Sequence, residues 1–141
     1  MKIKRLREDA IIPTRGSSAA AGYDLYTTDE TVIAPGQTVL LGTGLAMEIP
    51  EGYFGAVFAR SGLATKEGLR PANCVGVIDA DYRGELKVPL HNDSSEERRI
   101  TAGERIAQLV IMPFLPVTFE EADELSDTAR SAGGFGSTGK G

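Results

Sequence analysis

The sequence predicts an all-β domain, and three observations lead to this fold class. Short runs of β-branched, aromatic and aliphatic residues alternate with glycine and proline along most of the chain. No long stretch shows the apolar periodicity of an amphipathic helix. The runs recur at nearly regular intervals, which is typical of a sandwich, a barrel or a jelly roll. A chain of 141 residues is expected to form one such domain.

The elements follow from this pattern in chain order. Strands are predicted at residues 2–5, 23–27, 31–33, 38–41, 45–49, 53–59, 75–78, 85–90 and 105–114. Turns rich in glycine and proline separate them at 35–36, 42–44, 50–52, 83–84 and 102–103. One helical turn is predicted at 62–66, and the acidic segment 119–125 is expected to be an extended connector.

The composition narrows the classes of function. The net charge of −5 argues against a nucleic-acid polymer as partner. A single cysteine rules out an internal disulfide and suits a reducing cytoplasm, and a single histidine rules out a multi-histidine zinc site. No apolar run reaches membrane-spanning length, and the first residues lack the apolar core of a signal peptide. We therefore expect a cytoplasmic protein without a membrane partner. If its ligand is anionic, the protein needs local arginine or lysine clusters and a divalent cation.

Two short motifs carry candidate polar residues in apolar surroundings. In A-G-Y-D-L, Asp24 interrupts a predicted strand, where a surface carboxylate is the alternative interpretation. In A-R-S-G-L-A, the side chains of Arg60 and Ser61 and the amides around Gly62 open the predicted helical turn, which suits an anion. A turn with a solvated arginine would explain the same residues.

A third motif, N-C-V-G-V-I-D-A-D-Y-R-G-E-L at 73–86, predicts a hairpin with its turn at 79–84. Asp79 directly follows an apolar strand, where partial burial would suit a general base. The ring of Tyr82 offers a flat surface for a sugar or a base. Turn formation alone also accounts for the aspartates, because aspartate favours turns.

The fourth motif, G-E-R-I-A-Q-L-V-I, places Arg105 and Gln108 in a strongly apolar strand. Buried polar side chains need partners, and an Asp24–Arg105 pair is one candidate. His91 is expected at a turn or a strand end without a catalytic role. Cys74 is expected in the core and not as a nucleophile, because no nearby base is evident.

The last twelve residues read R-S-A-G-G-F-G-S-T-G-K-G. They match the G-x-G-x-x-G pattern and nearly match a P-loop, but both patterns require a strand before the glycines and a helix after them. Composition alone predicts a disordered tail. Arg130 and Phe135 favour a mobile arm instead, because an arginine suits phosphate and an aromatic ring suits a base.

Five segments of the chain resemble, in order, the five motifs of the trimeric deoxyuridine triphosphatase (dUTP diphosphatase, dUTPase) family. They are A-G-Y-D-L, R-S-G-L-A, G-V-I-D-A-D-Y-R-G-E, G-E-R-I-A-Q-L and R-S-A-G-G-F-G-S-T-G, and the resemblance spans residues 13–139. It implies a homotrimer of distorted jelly-roll subunits, with the domain at 1–125 and a flexible arm at 126–141 that closes a neighbouring active site. The implied reaction converts dUTP and water to dUMP and pyrophosphate, which limits uracil incorporation into DNA and supplies dUMP for thymidylate synthesis.

The resemblance also implies a role for each site residue. Asp79 would be the catalytic residue that activates the attacking water and touches the sugar 3′-hydroxyl, and Tyr82 would pack under the deoxyribose. Arg130 would bind the γ-phosphate, and Phe135 would stack on uracil. The remaining substrate-binding residues would be Asn73, Val77 and Ile78 at the base, Arg60, Ser61, Gly62, Gln108, Ser137 and Thr138 at the phosphates, and Lys87 and Gly136 in the lining of the site.

Magnesium is the cofactor that the resemblance implies, held mainly by phosphate oxygens and water. No residue is expected to bind the ion directly, and Asp24 and Gln108 would at most contact its bound water. Ala59 departs from the family pattern, which often has proline there.

Two alternatives remain open from the sequence. One is a dCTP deaminase or a bifunctional relative on the same fold. It would need a base, typically glutamate, placed for attack on the cytosine ring, and a tail different from G-G-F-G-S-T-G. The other is a trimeric regulatory protein whose nucleotide state controls a partner.

Overall fold

The computed structural model describes residues 1–133. Regular structure in this range is almost entirely β, because the apolar runs alternate between buried and exposed positions. The elements are β1 Lys2–Arg5, β2 Tyr23–Tyr26, β3 Thr31–Ile33, β4 Thr38–Gly42, β5 Leu45–Glu48, β6 Tyr53–Phe58, the helical turn α1 Leu63–Glu67, β7 Leu69–Pro71, β8 Gly76–Ile78, β9 Lys87–Asn92, β10 Arg98–Ile100 and β11 Arg105–Pro113.

Two larger sheets enclose the core. One has the strand order β2-β11-β6-β8 and the other β4-β9-β7, while β1-β5 and β10-β3 form two-stranded ribbons. Every pairing is antiparallel. Leu25 and Leu109 from the first sheet and Val88 and Leu90 from the second belong to one buried cluster. The all-β, jelly-roll class predicted from the sequence is confirmed.

In β9, buried and outward-pointing side chains alternate along the strand, so one face packs on the core and the other faces outward. Val88, Leu90 and Asn92 are buried, whereas Lys87 and His91 point outward. His91 lies next to the end of this strand, as predicted. Its Nδ1 is 2.9 Å from Thr38 Oγ1 across the sheet.

The predicted hairpin at 73–86 is wrong. Strand β8 pairs with β6, whereas the returning strand β9 pairs with β4 and β7 in the other sheet. After β8 the chain is held by the β4–β5 region instead of folding back on β8. The Leu86 amide donates to the Leu45 carbonyl at 2.8 Å, and the Thr43 amide donates to the Leu86 carbonyl at 3.2 Å. Residues 79–86 therefore cross between the sheets.

Three further expectations are corrected or extended. Cys74 is exposed in a turn with φ of 61°, so its expected place in the core is wrong. Sequence reasoning missed the short strands β7 and β10, because β7 ends in a proline and β10 is mostly arginine. Residues 114–133 form no strand or helix, and Phe119 and Leu125 are exposed there. In the described range no helix has the length and apolar character to cross a membrane.

Candidate active site

Three of the predicted motifs meet at one end of the four-stranded sheet. Asp24 in β2 lies opposite Gln108 in β11, and Gln108 lies opposite the last residue of β6, two positions before Arg60. Asp24 Oδ1 accepts a hydrogen bond from Arg60 Nε at 2.9 Å, and its Oδ2 accepts one from Arg105 Nη1 at 3.2 Å. The predicted Asp24–Arg105 pair is confirmed. The structure adds the Arg60 contact, which the sequence did not indicate.

The side chain of Gln108 fixes the backbone at the residue before Arg60. Its Nε2 donates to the Ala59 carbonyl at 2.8 Å. A Cβ atom at Gly22 would come within 2.3 Å of Gln108 Oε1, so the glycine of A-G-Y-D-L leaves room for this side chain. Two motifs far apart in the sequence thus depend on each other sterically.

Ser61 and Gly62 are exposed at the start of α1. The Ala64 amide donates to the Arg60 carbonyl at 3.0 Å, and the Thr65 hydroxyl donates to the Ser61 carbonyl at 2.7 Å. A Cβ atom at Gly62 would meet no atom within 4 Å. The backbone of this segment is therefore fixed by hydrogen bonds within the turn, and Ser61 and Gly62 remain accessible to a ligand.

A second group of predicted residues lines one cleft of about 290 Å³. The cleft lies between the end of β8, the crossing segment and the outward face of β4 and β9. Its lining residues are Leu40, Val77, Ile78, Asp79, Tyr82, Glu85 and Lys87. Five of these seven were predicted from the sequence as site residues, and all five come from the third motif or the strand that follows it.

The crossing segment orients Tyr82. The Tyr82 amide donates to the Asp79 carbonyl at 3.2 Å, which closes a turn, and the Tyr82 hydroxyl donates to the Glu85 carbonyl at 3.0 Å. With both ends held, the ring forms one wall of the cleft beside the Asp79 carboxylate.

Glu85 and Leu40 are lining residues that sequence reasoning missed. Glu85 Oε1 accepts from the Gly44 amide at 2.9 Å, and its Oε2 lies 3.4 Å from Lys87 Nζ. The position of Glu85 within R-G-E of the third motif was an available signal. Leu40 carried none, because an apolar residue in a strand predicts burial, yet its side chain is 59% exposed.

Asn73 does not line this cleft. It is exposed in the turn before β8, where its carbonyl accepts from the Val75 amide at 2.7 Å. Its Nδ2 would lie 3.4 Å from a Cβ atom at Gly76, so the side chain leans over the first residue of β8.

The two groups of residues lie at opposite ends of β6. Ile78 pairs with Gly55 near the start of that strand, so Asp79 follows beside Phe54. Arg60 comes two residues after β6 ends. Arg60 lies six residue steps beyond Phe54, which corresponds to roughly 20 Å of extended chain. One chain therefore does not bring Asp79 and Arg60 to the same point.

The predicted tail residues fall mostly beyond the described range. Arg130 is exposed, and its Nε donates to the Gly133 carbonyl at 2.8 Å within a local turn. Phe135, Gly136, Ser137 and Thr138 lie outside the described residues.

The donor groups that the structure offers a metal ion are sparse. Between residues 1 and 133 no group of three or more His, Cys, Asp or Glu side chains is arranged to hold a metal ion. Both Asp24 oxygens already accept from guanidinium groups. This donor set fits a magnesium ion that takes most of its ligands from substrate phosphates and water.

Comparisons with known proteins agree on one family. The dUTPase family model matches residues 8–139. A deoxyuridine 5'-triphosphate nucleotidohydrolase of Nautilia profundicola is 51% identical, with 99% of each chain covered. One of Hydrogenobaculum sp. is 54% identical over 97% of this chain and 96% of the relative. Among solved structures, the Staphylococcus bacteriophage 80alpha dUTPase with dUpNHpp superimposes with a TM-score of 0.92 at 32% identity, covering 99% of this chain and 98% of that one.

Proposed function

The chain belongs to the dUTPase family, and from this premise we propose that it hydrolyses dUTP to dUMP and pyrophosphate with a divalent metal ion, magnesium. The observation that carries the proposal is the cleft in which Asp79, Tyr82 and the backbone of β8 meet. A carboxylate, an aromatic ring and a strand edge are the groups that a water, a sugar and a base would need.

The edge position of β8 supports recognition of uracil. Among residues 1–133, β8 pairs in the four-stranded sheet with β6 alone, so within this range its other edge presents backbone N–H and C=O groups without a strand partner. Uracil carries an alternating acceptor–donor–acceptor edge, which backbone groups near Val77 and Ile78 would match. Cytosine has a different pattern of donors and acceptors, and the thymine methyl group would need additional room.

Asp79 would act as the general base. Its carboxylate accepts a proton from a water molecule, the water oxygen forms a bond to the α-phosphorus, and the bond from that phosphorus to the bridging oxygen breaks. Pyrophosphate leaves on the side opposite to the attack. The ring of Tyr82 would pack against the deoxyribose and leave no space for a ribose 2′-hydroxyl.

Arg60, Ser61, Gly62 and Gln108 would bind the phosphates. Magnesium, when bound, neutralises charge on the departing pyrophosphate. Arg60 would add a fixed cation, and the backbone amides of the exposed Ser61 and Gly62 would add donors. Positioning and electrostatic stabilisation then supply most of the rate enhancement.

The separation of the two residue groups along β6 supports a homotrimer with shared sites. Asp79 of one subunit would meet the Arg60 segment of a second, and the arm at 126–141 of a third would close the site with Arg130, Phe135, Gly136, Ser137 and Thr138. The large exposed apolar side chains of Leu40 and Val77 beside the cleft suit contact with another subunit.

The test is pyrophosphate release from dUTP, dCTP, dTTP and UTP, each with magnesium and with a chelator. We expect release from dUTP alone and only with the metal. Ammonia release from dCTP would indicate the deaminase alternative, and absence of release from all four nucleotides would contradict the proposal.

A further inference from the structure

Strand β11 carries a bulge beside the Arg60 segment. In its pairing with β2, one extra residue lies between Arg105 and Ala107. Side chains alternate along an uninterrupted strand, so Arg105 and Ala107 would both face the core. Ala107 is fully buried, whereas the Arg105 side chain is 52% exposed and lies beside Asp24. The bulge therefore directs a guanidinium group away from the core and onto a carboxylate.

Asp24 is shared between two cations. Its side chain is 18% exposed and binds Arg60 through one oxygen and Arg105 through the other. Arg60 also donates from Nη1 to the Arg105 carbonyl at 3.4 Å. Within residues 1–133, Arg60 Nη2 has no protein partner. Two of the three guanidinium nitrogens of Arg60 are thus held by protein, and within the described residues the third, Nη2, is free for a ligand oxygen.

From this geometry we propose that Asp24 and Arg105 are positioning residues that aim Arg60 at the β- and γ-phosphates of the nucleotide. The inference rests on the proposed function and adds a residue, Arg105, to the site. Asp24 alone would orient Arg60 but cancel its charge. With Arg105 present, two guanidinium groups share one carboxylate, so the cluster keeps a net charge of about +1.

The first experiment compares ligands that differ only in their phosphates. The non-hydrolysable analogue dUpNHpp and dUMP are titrated calorimetrically, with magnesium, into the full-length protein and its Arg105→Gln variant. We expect Arg105→Gln to weaken dUpNHpp binding by about tenfold, since a charge-assisted contact is lost, and dUMP binding by less than about twofold. Arg105→Lys should retain most of the affinity, because an ammonium can still donate to Asp24. Arg99→Gln is the control, because Arg99 is an exposed arginine paired with Glu30 on another sheet.

The second experiment asks whether replacing Asp24 weakens or strengthens the binding of dUpNHpp. Asp24→Asn removes a negative charge, so electrostatics alone predicts tighter binding of dUpNHpp. Positioning predicts weaker binding, because the single amide oxygen of asparagine cannot accept from both arginines. We expect weaker binding by about tenfold. If Arg105→Gln does not fold, the affinity of Asp24→Asn for dUpNHpp still tests the positioning role.

The outcomes separate the two proposals. If the unmodified protein binds neither ligand, the proposed function fails. If it binds dUpNHpp and Arg105→Gln binds equally well, the role of Arg105 is refuted while the function stands. Equal losses for dUpNHpp and dUMP, or tighter binding by Asp24→Asn, would likewise overturn the positioning role.

Discussion

The ring of Tyr82 lies across the backbone of Gly84. A Cβ atom at Gly84 would come within 2.4 Å of the Tyr82 hydroxyl oxygen and 2.6 Å of the ring carbon that bears it. The same hydroxyl donates to the Glu85 carbonyl at 3.0 Å. Gly84 therefore supplies the space that this ring orientation requires.

Replacing Gly84 with alanine should displace the Tyr82 ring from the cleft wall. We expect the KM for dUTP to rise by about tenfold or more, because the sugar loses its packing surface. Hydrolysis of UTP relative to dUTP should increase, since the ring no longer excludes the 2′-hydroxyl. Steady-state kinetics on both nucleotides measures this, with Gly16→Ala as control because a Cβ there meets no atom within 4 Å. An unchanged preference for dUTP would show that the ring does not select the sugar.

Asp79→Asn should nearly abolish turnover while dUpNHpp still binds. The amide cannot accept the proton of the attacking water, and loss of a general base costs on the order of 10² to 10⁴ in rate. Rapid-quench assays and calorimetry separate the two effects. Asp123→Asn is the control, because Asp123 is an exposed carboxylate in the segment after β11 that forms no strand or helix. Near-normal hydrolysis by Asp79→Asn would contradict its role as base.

Mixing two inactive variants should restore activity if sites are shared. Arg60→Gln and Asp79→Asn each damage one half of the site, and the two halves lie at opposite ends of β6. In randomly reassembled equimolar oligomers, about a quarter of the sites would combine an intact Asp79 with an intact Arg60 from another chain. Activity after subunit exchange, with exchange verified by mass spectrometry, measures this fraction. Failure to recover activity in verified mixed oligomers would mean that each chain completes its own site.

Removing residues 130–141 should reduce hydrolysis sharply and leave the oligomer intact. The deletion takes away Arg130 and Phe135, while the strands that form both sheets end at Pro113. Light scattering after size exclusion reports assembly, and pyrophosphate release reports turnover. Removing only residues 140–141 is the control, since no predicted site residue is lost. A truncated protein as active as the full chain would leave the tail without a catalytic role.

Asn92→Asp should destabilise the domain without a direct effect on the site. Asn92 is fully buried and donates from Nδ2 to the carbonyls of Ile33 and Glu96, at 2.8 and 2.7 Å. A carboxylate oxygen in that place would face two carbonyl oxygens, which should lower the free energy of unfolding by about 3 kcal/mol. Urea denaturation measures the change, and a wild-type midpoint would contradict this account.

Asp93→Asn is the surface control for that experiment and carries its own pH dependence. A hydrogen bond from Arg70 lowers the pKa of the exposed Asp93 carboxyl below its usual value. The pair therefore contributes stability at neutral pH and loses it only as the pH falls through the lowered pKa. The difference between wild type and Asp93→Asn should be small and should vanish in acid.

The sequence predicted most elements but not how they pair. Nine of the eleven strands that the structure describes between residues 1 and 133 were located, because alternation and turn residues are local signals. Strands β7 and β10 were missed because they lack an apolar run: β7 ends in a proline, and two of the three residues of β10 are arginines. The hairpin at 73–86 was wrong because proximity in sequence suggested pairing, whereas Leu86 is held by Leu45 and Thr43 in the other part of the fold.

By itself, the sequence determined the all-β class, the family and the residue types that line the cleft, since these depend on local pattern and ordered motifs. Only the tertiary structure decided that Asp24 joins Arg60 to Arg105, and that Tyr82 passes over Gly84. The physical reason is that strand pairing is non-local. A single-residue bulge reverses the face on which a side chain emerges, and no one-dimensional pattern records which strands, or which subunits, bring two motifs together.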